Sequence, residues 1–260
     1  MCTDCPQDVR DPWLPDRLLT TERDLLMPLL RRTPEESYAL RTACPGWTAR
    51  QVLAHCAAAL VRIVEDRLEE GVFLPEANAR DVAERDHWPV PRILDELERG
   101  LTEAGPVIAR RDDDRLDAVA LGEWVHAGDI REAFSEPGAY SGPSLPLALS
   151  LLAPTTRRRD TPHLLATLTA PATEVPPGSA SGPGFGAAPG SASGPAAGAA
   201  RGAVSGPVAK VALGTHIRGR PTAHFHGDAA TLIRIYSGRP LTRTRYHLTG
   251  ATEQELLIYR

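Results

Sequence analysis

The sequence predicts an α+β protein in which a four-helix bundle, residues 16–155, precedes a small α+β domain, residues 156–260. Two observations support this prediction. Before about residue 160, apolar residues recur at intervals of three and four, the spacing of amphipathic helices. After that point, short β-rich runs bounded by turn residues predict strands. The 260 residues are enough to build two domains, each with its own core.

The N-terminal elements follow from leucine spacing and from helix-start signals. Residues 1–15 are expected to form a flexible tail, and residues 16–31 predict the first helix, with Pro28 limiting its last turn. Thr33 stands before a proline and two glutamates, an order typical of an N-cap with a capping box. A short helix is therefore expected after Thr33.

The clearest long helix spans residues 48–70 and is capped by Thr48. His55 lies within its apolar stripe, where a histidine is either a core residue held by hydrogen bonds or a ligand. The same periodicity predicts further helices over residues 91–110, 117–134 and 145–152, with a longer loop over residues 71–88.

The C-terminal half predicts short strands, at residues 163–169, 208–213, 221–226 and 242–248, with helices at residues 228–236 and from Thr252. A segment rich in Gly, Pro, Ala and Ser, residues 171–207, repeats the hexamer GSASGP. Such a composition buries too little apolar surface to offset its chain entropy. We expect a disordered insertion without chemistry, placed between the first two strands of this domain.

Charge and composition argue against several classes of partner. The formal net charge is −4 and the pI is about 6.1, whereas nucleic-acid-binding domains are usually strongly basic. No apolar run is long enough to span a membrane, and the N-terminus lacks the pattern of a signal peptide. We therefore expect a cytoplasmic protein with no nucleic-acid or membrane partner, as a monomer or a small homo-oligomer.

The four cysteines are too few and too clustered for a disulfide scaffold. Cys2 and Cys5 form a CxxC pattern, but no strand or helix is predicted around it, so a frayed tail is expected. Cys44 precedes a Pro-Gly turn and Cys56 lies on the buried stripe of its helix. Both are expected to be small packing residues.

A polar stripe crosses the helix predicted over residues 117–134. Glu123, His126 and Asp129 follow one another at steps of three and so share one side of it. Buried carboxylate and imidazole groups must be paired or bound to a metal. His55 from one helix with Glu123 and His126 from this one would give three ligands and an open position, the arrangement of a catalytic zinc site. The alternative is an ordinary hydrogen-bond network between helices, for example from Glu123 to His55.

Three ordered motifs carry a family resemblance. CPGWTARQVLAH (residues 44–55) resembles the start of the second helix of the mycothiol-dependent maleylpyruvate isomerase family, a branch of the DinB-like metal-binding bundles. GEWVHAGDIREAF (residues 122–134) resembles that family's fourth-helix motif. HFHGDAATLIRIYSGRP (residues 224–240) resembles its small C-terminal domain, which is similar in shape to sterol-carrier domains. The resemblance thus implies a DinB-like four-helix bundle followed by a sterol-carrier-like α+β domain.

The resemblance implies a divalent metal, zinc by preference, bound by His55 and His126. Many members carry a glutamate four residues before the fourth-helix histidine, and this chain has Gly122 there. Glu123, three residues before His126, is therefore the predicted third ligand, with Asp129 as the alternative.

The resemblance also implies a reaction. The open metal position takes the thiol of mycothiol and lowers its pKa, so that the thiolate attacks an electrophile near neutral pH. In an isomerase the thiolate adds to the double bond of a cis diacid such as maleylpyruvate, the bond rotates, and elimination returns the trans isomer. In an S-transferase the thiol stays attached to the product.

A dicarboxylate substrate needs cationic partners, and arginine forks bind carboxylates bidentately. Arg131, shortly after His126, and Arg239, in a Gly-Arg-Pro turn, are the predicted catalytic arginines. The alternatives are that Arg131 pairs with a nearby carboxylate and that Arg239 is a solvated turn residue.

Two further alternatives stay open. His224 and His226 share one face of a strand and have a spacing that can chelate metal, although a half-exposed strand is the preferred interpretation. A different class of function is a non-catalytic DinB-like protein that binds a small apolar or anionic ligand in the interdomain cleft.

Overall fold

The structure, a computed structural model, describes residues 9–69, 71–169, 209–241 and 244–259. Within these ranges the chain forms eight α-helices, one 3-10 helix and a four-stranded sheet, which confirms the predicted α+β class. The CxxC pattern of Cys2 and Cys5 and the predicted insertion, residues 171–207, lie outside the described residues.

The helical part contains α1 to α6, at Leu14–Arg32, Ala49–Val64, Pro75–Glu84, Val90–Ala109, Asp117–Ala133 and Leu145–Arg158. Four predictions for this part are corrected. Helix α2, predicted over residues 48–70, ends at Val64. The loop expected over residues 71–88 contains helix α3, and α6 continues six residues beyond its predicted end at 152 and includes Pro154. The short helix after Thr33 is a 3-10 helix, Glu35–Ala39. No capping bond from Thr33 precedes that 3-10 helix.

Thr48 caps helix α2, as the sequence predicts, and does so as part of a capping box. The Thr48 hydroxyl accepts a hydrogen bond from the Gln51 backbone N at 3.3 Å, while the Gln51 side chain accepts from the Thr48 backbone N at 2.9 Å. Helix α4 approaches α2 closely at Gly100, where an added Cβ would lie 2.5 Å from Leu60 Cβ. The small residue therefore permits close packing of the central helix pair.

Ion pairs fix helix α3 against its neighbours. Arg62 of α2 pairs with the buried Asp81 of α3, and Arg85 holds Glu96 of α4 with nitrogen–oxygen distances of 2.6 and 2.7 Å. Because α3 buries little besides Ala77 and Asp81, it lacks the apolar stripe from which helices are predicted.

The C-terminal part forms a sheet of strand order β2-β1-β3-β4, built from Leu164–Thr169 (β1), Ala209–Leu213 (β2), Ala223–Asp228 (β3) and Tyr246–Thr249 (β4). Strand β1 pairs in parallel with β3, and the other two pairs are antiparallel. Helices α7 (Ala229–Ser237) and α8 (Glu253–Leu256) complete this part. Strand β4 starts four residues later than the predicted strand.

Contacts of Arg234 and Tyr259 help to join α5 to the C-terminal part. Arg234 of α7 pairs with Glu132 of α5 at 2.7 Å, and its guanidinium lies 4.4 Å from the Tyr140 ring centre. The Tyr259 hydroxyl, close to the end of the described chain, donates to the Ala118 carbonyl of α5 at 3.3 Å. None of the helices described here is both long and apolar enough to cross a bilayer.

Candidate functional site

A cavity of about 380 Å³ lies where the helical bundle meets the C-terminal part. Helix α2 contributes His55, helix α5 contributes Glu123 and His126, and the C-terminal part contributes Arg239 and Tyr259. The stripe of polar residues predicted on α5 therefore faces a cavity, and residues from both parts of the chain surround it.

His55 is buried in the cavity wall, with 9% of its surface exposed, and its Nδ1 has no hydrogen-bond partner among the described residues. Burial, and then the nearby charges of His126 and Arg239, lower the pKa of His55 to about 3. The imidazole is therefore neutral at pH 7, and no residue within the described ranges satisfies its buried Nδ1. The indole ring of Trp47 packs 5.0 Å from the imidazole of His55, measured between ring centres.

His126 faces His55 across the cavity. The two ring centres are 5.3 Å apart and the rings meet edge to face. The Nδ1 of His126 lies 3.1 Å from Asp129 Oδ2 and 3.3 Å from an Arg239 terminal nitrogen. Because Asp129 holds Nδ1, the other ring nitrogen of His126 is the one left for a ligand.

Asp129 is fully buried and accepts hydrogen bonds from three side chains. Arg239 contacts it with Nε at 2.8 Å and a terminal nitrogen at 2.6 Å, and the Tyr140 hydroxyl donates at 2.6 Å. Burial alone would raise the pKa of Asp129, but the hydrogen bonds from His126 and Arg239 hold it at about 2. Asp129 is therefore ionised and orients both His126 and Arg239.

The turn after α7 brings Arg239 to this point. Gly238 adopts a left-handed backbone conformation, with φ of 68°, that ends the helix. Arg239 then donates to the Ser237 carbonyl at 2.8 Å while its guanidinium reaches Asp129. Burial disfavours the charged guanidinium, but the bond to Asp129 outweighs this effect, so the pKa of Arg239 is raised.

Glu123 also lines the cavity and is 6% exposed. Burial raises the pKa of Glu123 to about 8, against the opposing effect of a hydrogen bond from the Cys56 thiol. In the metal-free protein its carboxyl group is therefore largely protonated at pH 7. The predicted ligands His55, Glu123 and His126 thus line one cavity.

Metal-ligating atoms come closest in a different group. Within the described ranges, one set of three such side chains has ligand atoms all within 4.8 Å of one another, namely Cys44, His126 and Asp129. The sequence indicated only a packing role for Cys44, because a cysteine before a Pro-Gly turn carries no sign of the helix that it will face. Burial raises the pKa of the Cys44 thiol to about 11.

Arg131, the other predicted catalytic arginine, lies elsewhere. It pairs with the buried Glu22 of α1 inside the bundle and does not line the cavity. This ion pair agrees with the alternative interpretation from the sequence, in which Arg131 pairs with a nearby carboxylate. His224 and His226 are exposed on β3 and are also absent from the cavity wall.

Two arginines at the cavity were not singled out from the sequence. Arg115 and Arg159 are exposed and line it from the start of α5 and the end of α6. Neither guanidinium has an ion-pair or hydrogen-bond partner among the described residues. The rim of the cavity thus carries positive charge that is available to an anion. These two arginines could be identified only from their positions in the tertiary structure.

The fold and the site define a helical bundle joined to a small α+β domain, with a histidine-lined cavity at their junction. Residues 19–134 match the family model described as the mycothiol maleylpyruvate isomerase N-terminal domain. The matched segment contains two of the three motifs that carried the resemblance, residues 44–55 and 122–134, and the resemblance is confirmed there.

Two solved structures are similar to the chain. One is described as the crystal structure of the mycothiol-dependent maleylpyruvate isomerase, with 13% identity, a TM-score of 0.48, and coverage of 92% of this chain and 93% of that one. The other is a histidine-to-alanine mutant of an enzyme with the same description, with the same identity and coverage and a TM-score of 0.47. No curated protein sequence matches the chain.

Proposed function

We propose that the protein is a mycothiol-dependent metalloenzyme that either isomerises maleylpyruvate-like cis diacids or transfers the thiol to an electrophile. The observation that carries this proposal is the buried Nδ1 of His55, which has no partner among the described residues, in a ring that lies 5.3 Å from that of His126 at a cavity also lined by Arg239. The domain family of residues 19–134 supports mycothiol as the thiol. The activity is proposed for the cytoplasm, with a monomer or small homo-oligomer as the active form.

The residues present fit a divalent ion. An unsatisfied buried nitrogen costs free energy unless a ligand uses it, and neutral imidazoles are the usual nitrogen ligands of zinc. His55 and His126 would hold the ion, with Glu123 as the proposed third ligand and Asp129 as the alternative. When bound, zinc supplies a Lewis acid that stabilises the deprotonated form of a thiol near neutral pH.

The chain's own residues would prepare this site. Asp129 accepts from His126 Nδ1 and fixes the orientation of that ring, as carboxylates do for metal-bound histidines. Trp47 and Tyr259 form part of the cavity wall. The neutral state of His55 leaves one of its two ring nitrogens with a free lone pair that can bind a ligand.

The arginines would bind the substrate's carboxylates. Arg239 is held in a fixed orientation by Asp129 within the cavity, while Arg115 and Arg159 lie at its exposed rim. Asp129 already occupies the Nε side of the Arg239 guanidinium, so Arg239 would contact the substrate through its remaining N–H groups, whereas Arg115 and Arg159 offer forks that match a planar carboxylate. Arg131 is left out of the proposed substrate site, because it pairs with Glu22 inside the bundle.

One observation favours the second candidate, a non-catalytic protein that binds a small anionic ligand in the same cavity. The three predicted ligands line the cavity, but they are not the group whose ligand atoms lie within 4.8 Å of one another. Such a protein would bind maleylpyruvate or a related diacid through Arg115 and Arg159 without converting it and without needing a metal.

The test is a mycothiol-dependent turnover assay with maleylpyruvate and several electrophiles, using full-length protein before and after metal removal. We expect turnover that needs both the thiol and the metal, is lost in His126→Ala and is retained in the exposed control His224→Ala. Ligand binding without turnover in the metal-reconstituted protein would establish the second candidate instead. Turnover that survives metal removal would contradict the proposed mechanism.

A further inference from the structure

Cys44 lies at the cavity but has no role in the proposed function. Its sulfur lies within 4.8 Å of ligand atoms of His126 and Asp129, and it lines the same cavity as His55. His55 supplies an independent sign of a missing ligand at this point, because its Nδ1 is buried and has no partner among the residues that the structure describes. One sulfur and two imidazoles, those of Cys44, His55 and His126, therefore line the same cavity, and the two imidazole ring centres are 5.3 Å apart.

The loop that carries Cys44 is held in place by hydrogen bonds. The Cys44 backbone N donates to the Thr42 hydroxyl at 3.2 Å, and the Trp47 backbone N donates to the Cys44 carbonyl at 3.3 Å. An isolated bridge between Arg41 and Thr48 closes the loop in front of α2. The sulfur is thus positioned by the same short segment that starts α2 and carries His55 into the cavity.

The carboxylate whose oxygen lies closest to Cys44 and His126 is already engaged. Asp129 accepts from Arg239, Tyr140 and His126, so binding a metal through it would compete with those bonds. The Cys44 thiol, in contrast, makes no hydrogen bond to any residue that the structure describes.

We propose that Cys44 is a thiolate ligand of the metal, together with His55 and His126, in place of Glu123. This inference rests on the metal of the proposed function. On binding, the S–H bond breaks, the sulfur keeps the electron pair and donates it to the ion, and the proton leaves to solvent. Sulfur and imidazole ligands together select zinc or cobalt over magnesium or calcium.

Cobalt(II) substitution tests this ligand directly, because a thiolate on cobalt produces a sulfur-to-metal charge-transfer absorption in the near ultraviolet. The full-length chain is used with Cys2→Ser and Cys5→Ser, so that the tail thiols do not contribute. Cys44→Ser is compared with Cys56→Ser, which removes the other thiol of the described residues from the same region. Circular dichroism and thermal unfolding check that each variant is folded.

We expect the charge-transfer band in the parent and in Cys56→Ser, and its loss in Cys44→Ser together with an approximately tenfold or greater loss of cobalt affinity. Visible cobalt absorption with no charge-transfer band in the parent would overturn the assignment of Cys44 and leave the proposed metalloenzyme intact. A band retained in Cys44→Ser would also overturn it. A parent that binds no cobalt or zinc would defeat both proposals.

If Cys44→Ser fails to fold, Cys44→Ala and zinc-dependent protection of the parent thiol replace it. Zinc should slow alkylation of Cys44 by iodoacetamide, measured by peptide mass spectrometry, more than tenfold. The same rate of alkylation with and without bound zinc would contradict thiolate ligation.

Discussion

Helix α5 takes part in two buried arginine–carboxylate pairs whose surroundings differ. Asp129 binds Arg239 next to the cavity, whereas Arg131, two residues further along the helix, binds Glu22 inside the bundle. In both pairs the carboxylate is at most 1% exposed. Burial and charge pairing are therefore common to both, and only the first pair touches a histidine and a cavity.

The two carboxylates also differ in their protonation. Burial raises the pKa of Glu22 despite the opposing charge of Arg131, and its other partner is Ser144 at 3.1 Å. The pKa of Asp129 is instead lowered to about 2, because His126 and Arg239 outweigh its burial. The comparison indicates that a buried ion pair can join two helices without chemistry, while a second hydrogen-bonding partner at a cavity orients functional groups.

The largest effects on stability and turnover are expected when each arginine is replaced in turn. Arg239→Gln and Arg131→Gln each leave a buried carboxylate without its counter-charge, so each should lower the free energy of unfolding by about 3 kcal/mol or more. Urea unfolding measures this loss. Turnover per folded molecule should fall about a hundredfold in Arg239→Gln, because an aligned cationic donor is removed, and stay within about threefold in Arg131→Gln.

Equal loss of turnover in the two variants would mean that Arg239 acts only through stability. A variant that does not fold can be replaced by Arg239→Lys, which keeps the charge and loses the fork.

A smaller change tests the geometry around Asp129. A Cβ at Gly128 would lie 2.4 Å from Tyr140 Cδ1, so Gly128→Ala must displace the ring whose hydroxyl binds Asp129. We expect a loss of about 2 kcal/mol in the free energy of unfolding, measured by thermal or urea unfolding. The control is Gly122→Ala on the same helix, where the nearest atom is the Tyr259 hydroxyl oxygen at 3.4 Å. Equal effects of the two substitutions would show that Tyr140 is not tightly packed.

The pH dependence of stability should have opposite signs for the two carboxylates. The pKa of Asp129 is lowered in the folded state, so its contribution to stability is present above about pH 4 and is lost as the pH falls through 2, by roughly 2 kcal/mol. The pKa of Glu22 is raised, so its contribution is full below the unfolded pKa of about 4.5 and is lost as the pH rises through the folded pKa.

Urea unfolding of the metal-free protein from pH 2 to 7 measures both effects. Asp129→Asn should reduce the loss in the free energy of unfolding as the pH falls below 4. Glu22→Gln should reduce the loss in the free energy of unfolding as the pH rises above 4.5. If both variants changed the pH dependence of the free energy of unfolding in the same way, the pKa values of the two carboxyl groups would not be shifted in opposite directions.

The smallest effect is expected at the cavity rim. Arg115→Ala and Arg159→Ala should each raise KM for a dicarboxylate about threefold with little change in kcat, because exposed charges contribute little in water. Steady-state kinetics at low and high salt measures this effect, and high salt should reduce the difference. Arg92→Ala, remote from the cavity, is the matched control.

The elements around the cavity were partly predictable from the sequence. The apolar spacing in α2 and α5 and the cap at Thr48 were sufficient to place His55 and His126 on two bundle helices. Helix α3 was missed because ion pairs from Arg62 and Arg85 hold it rather than an apolar stripe. The local pattern of residue types in the sequence does not indicate ion pairs between residues of different helices.

The same limit applies within the site. Arg131 and Arg239 were both predicted to be catalytic arginines, because no residue near either of them in the sequence indicates which carboxylate it will pair with. Cys44 had no visible partner at all, since its neighbours in space come from α5 and the C-terminal part. Candidate ligands could thus be found from helical spacing, whereas their pairing depends on the tertiary structure.

The most direct test of the central claim is the divalent metal content of the gently purified full-length protein, measured by inductively coupled plasma mass spectrometry. We predict stoichiometric metal in the parent, in Arg131→Gln and in His224→Ala, and a loss of at least tenfold in His126→Ala and His55→Ala. Stoichiometric metal retained in both histidine variants, or a parent that neither contains nor takes up metal, would contradict the assignment of this cavity as the metal site.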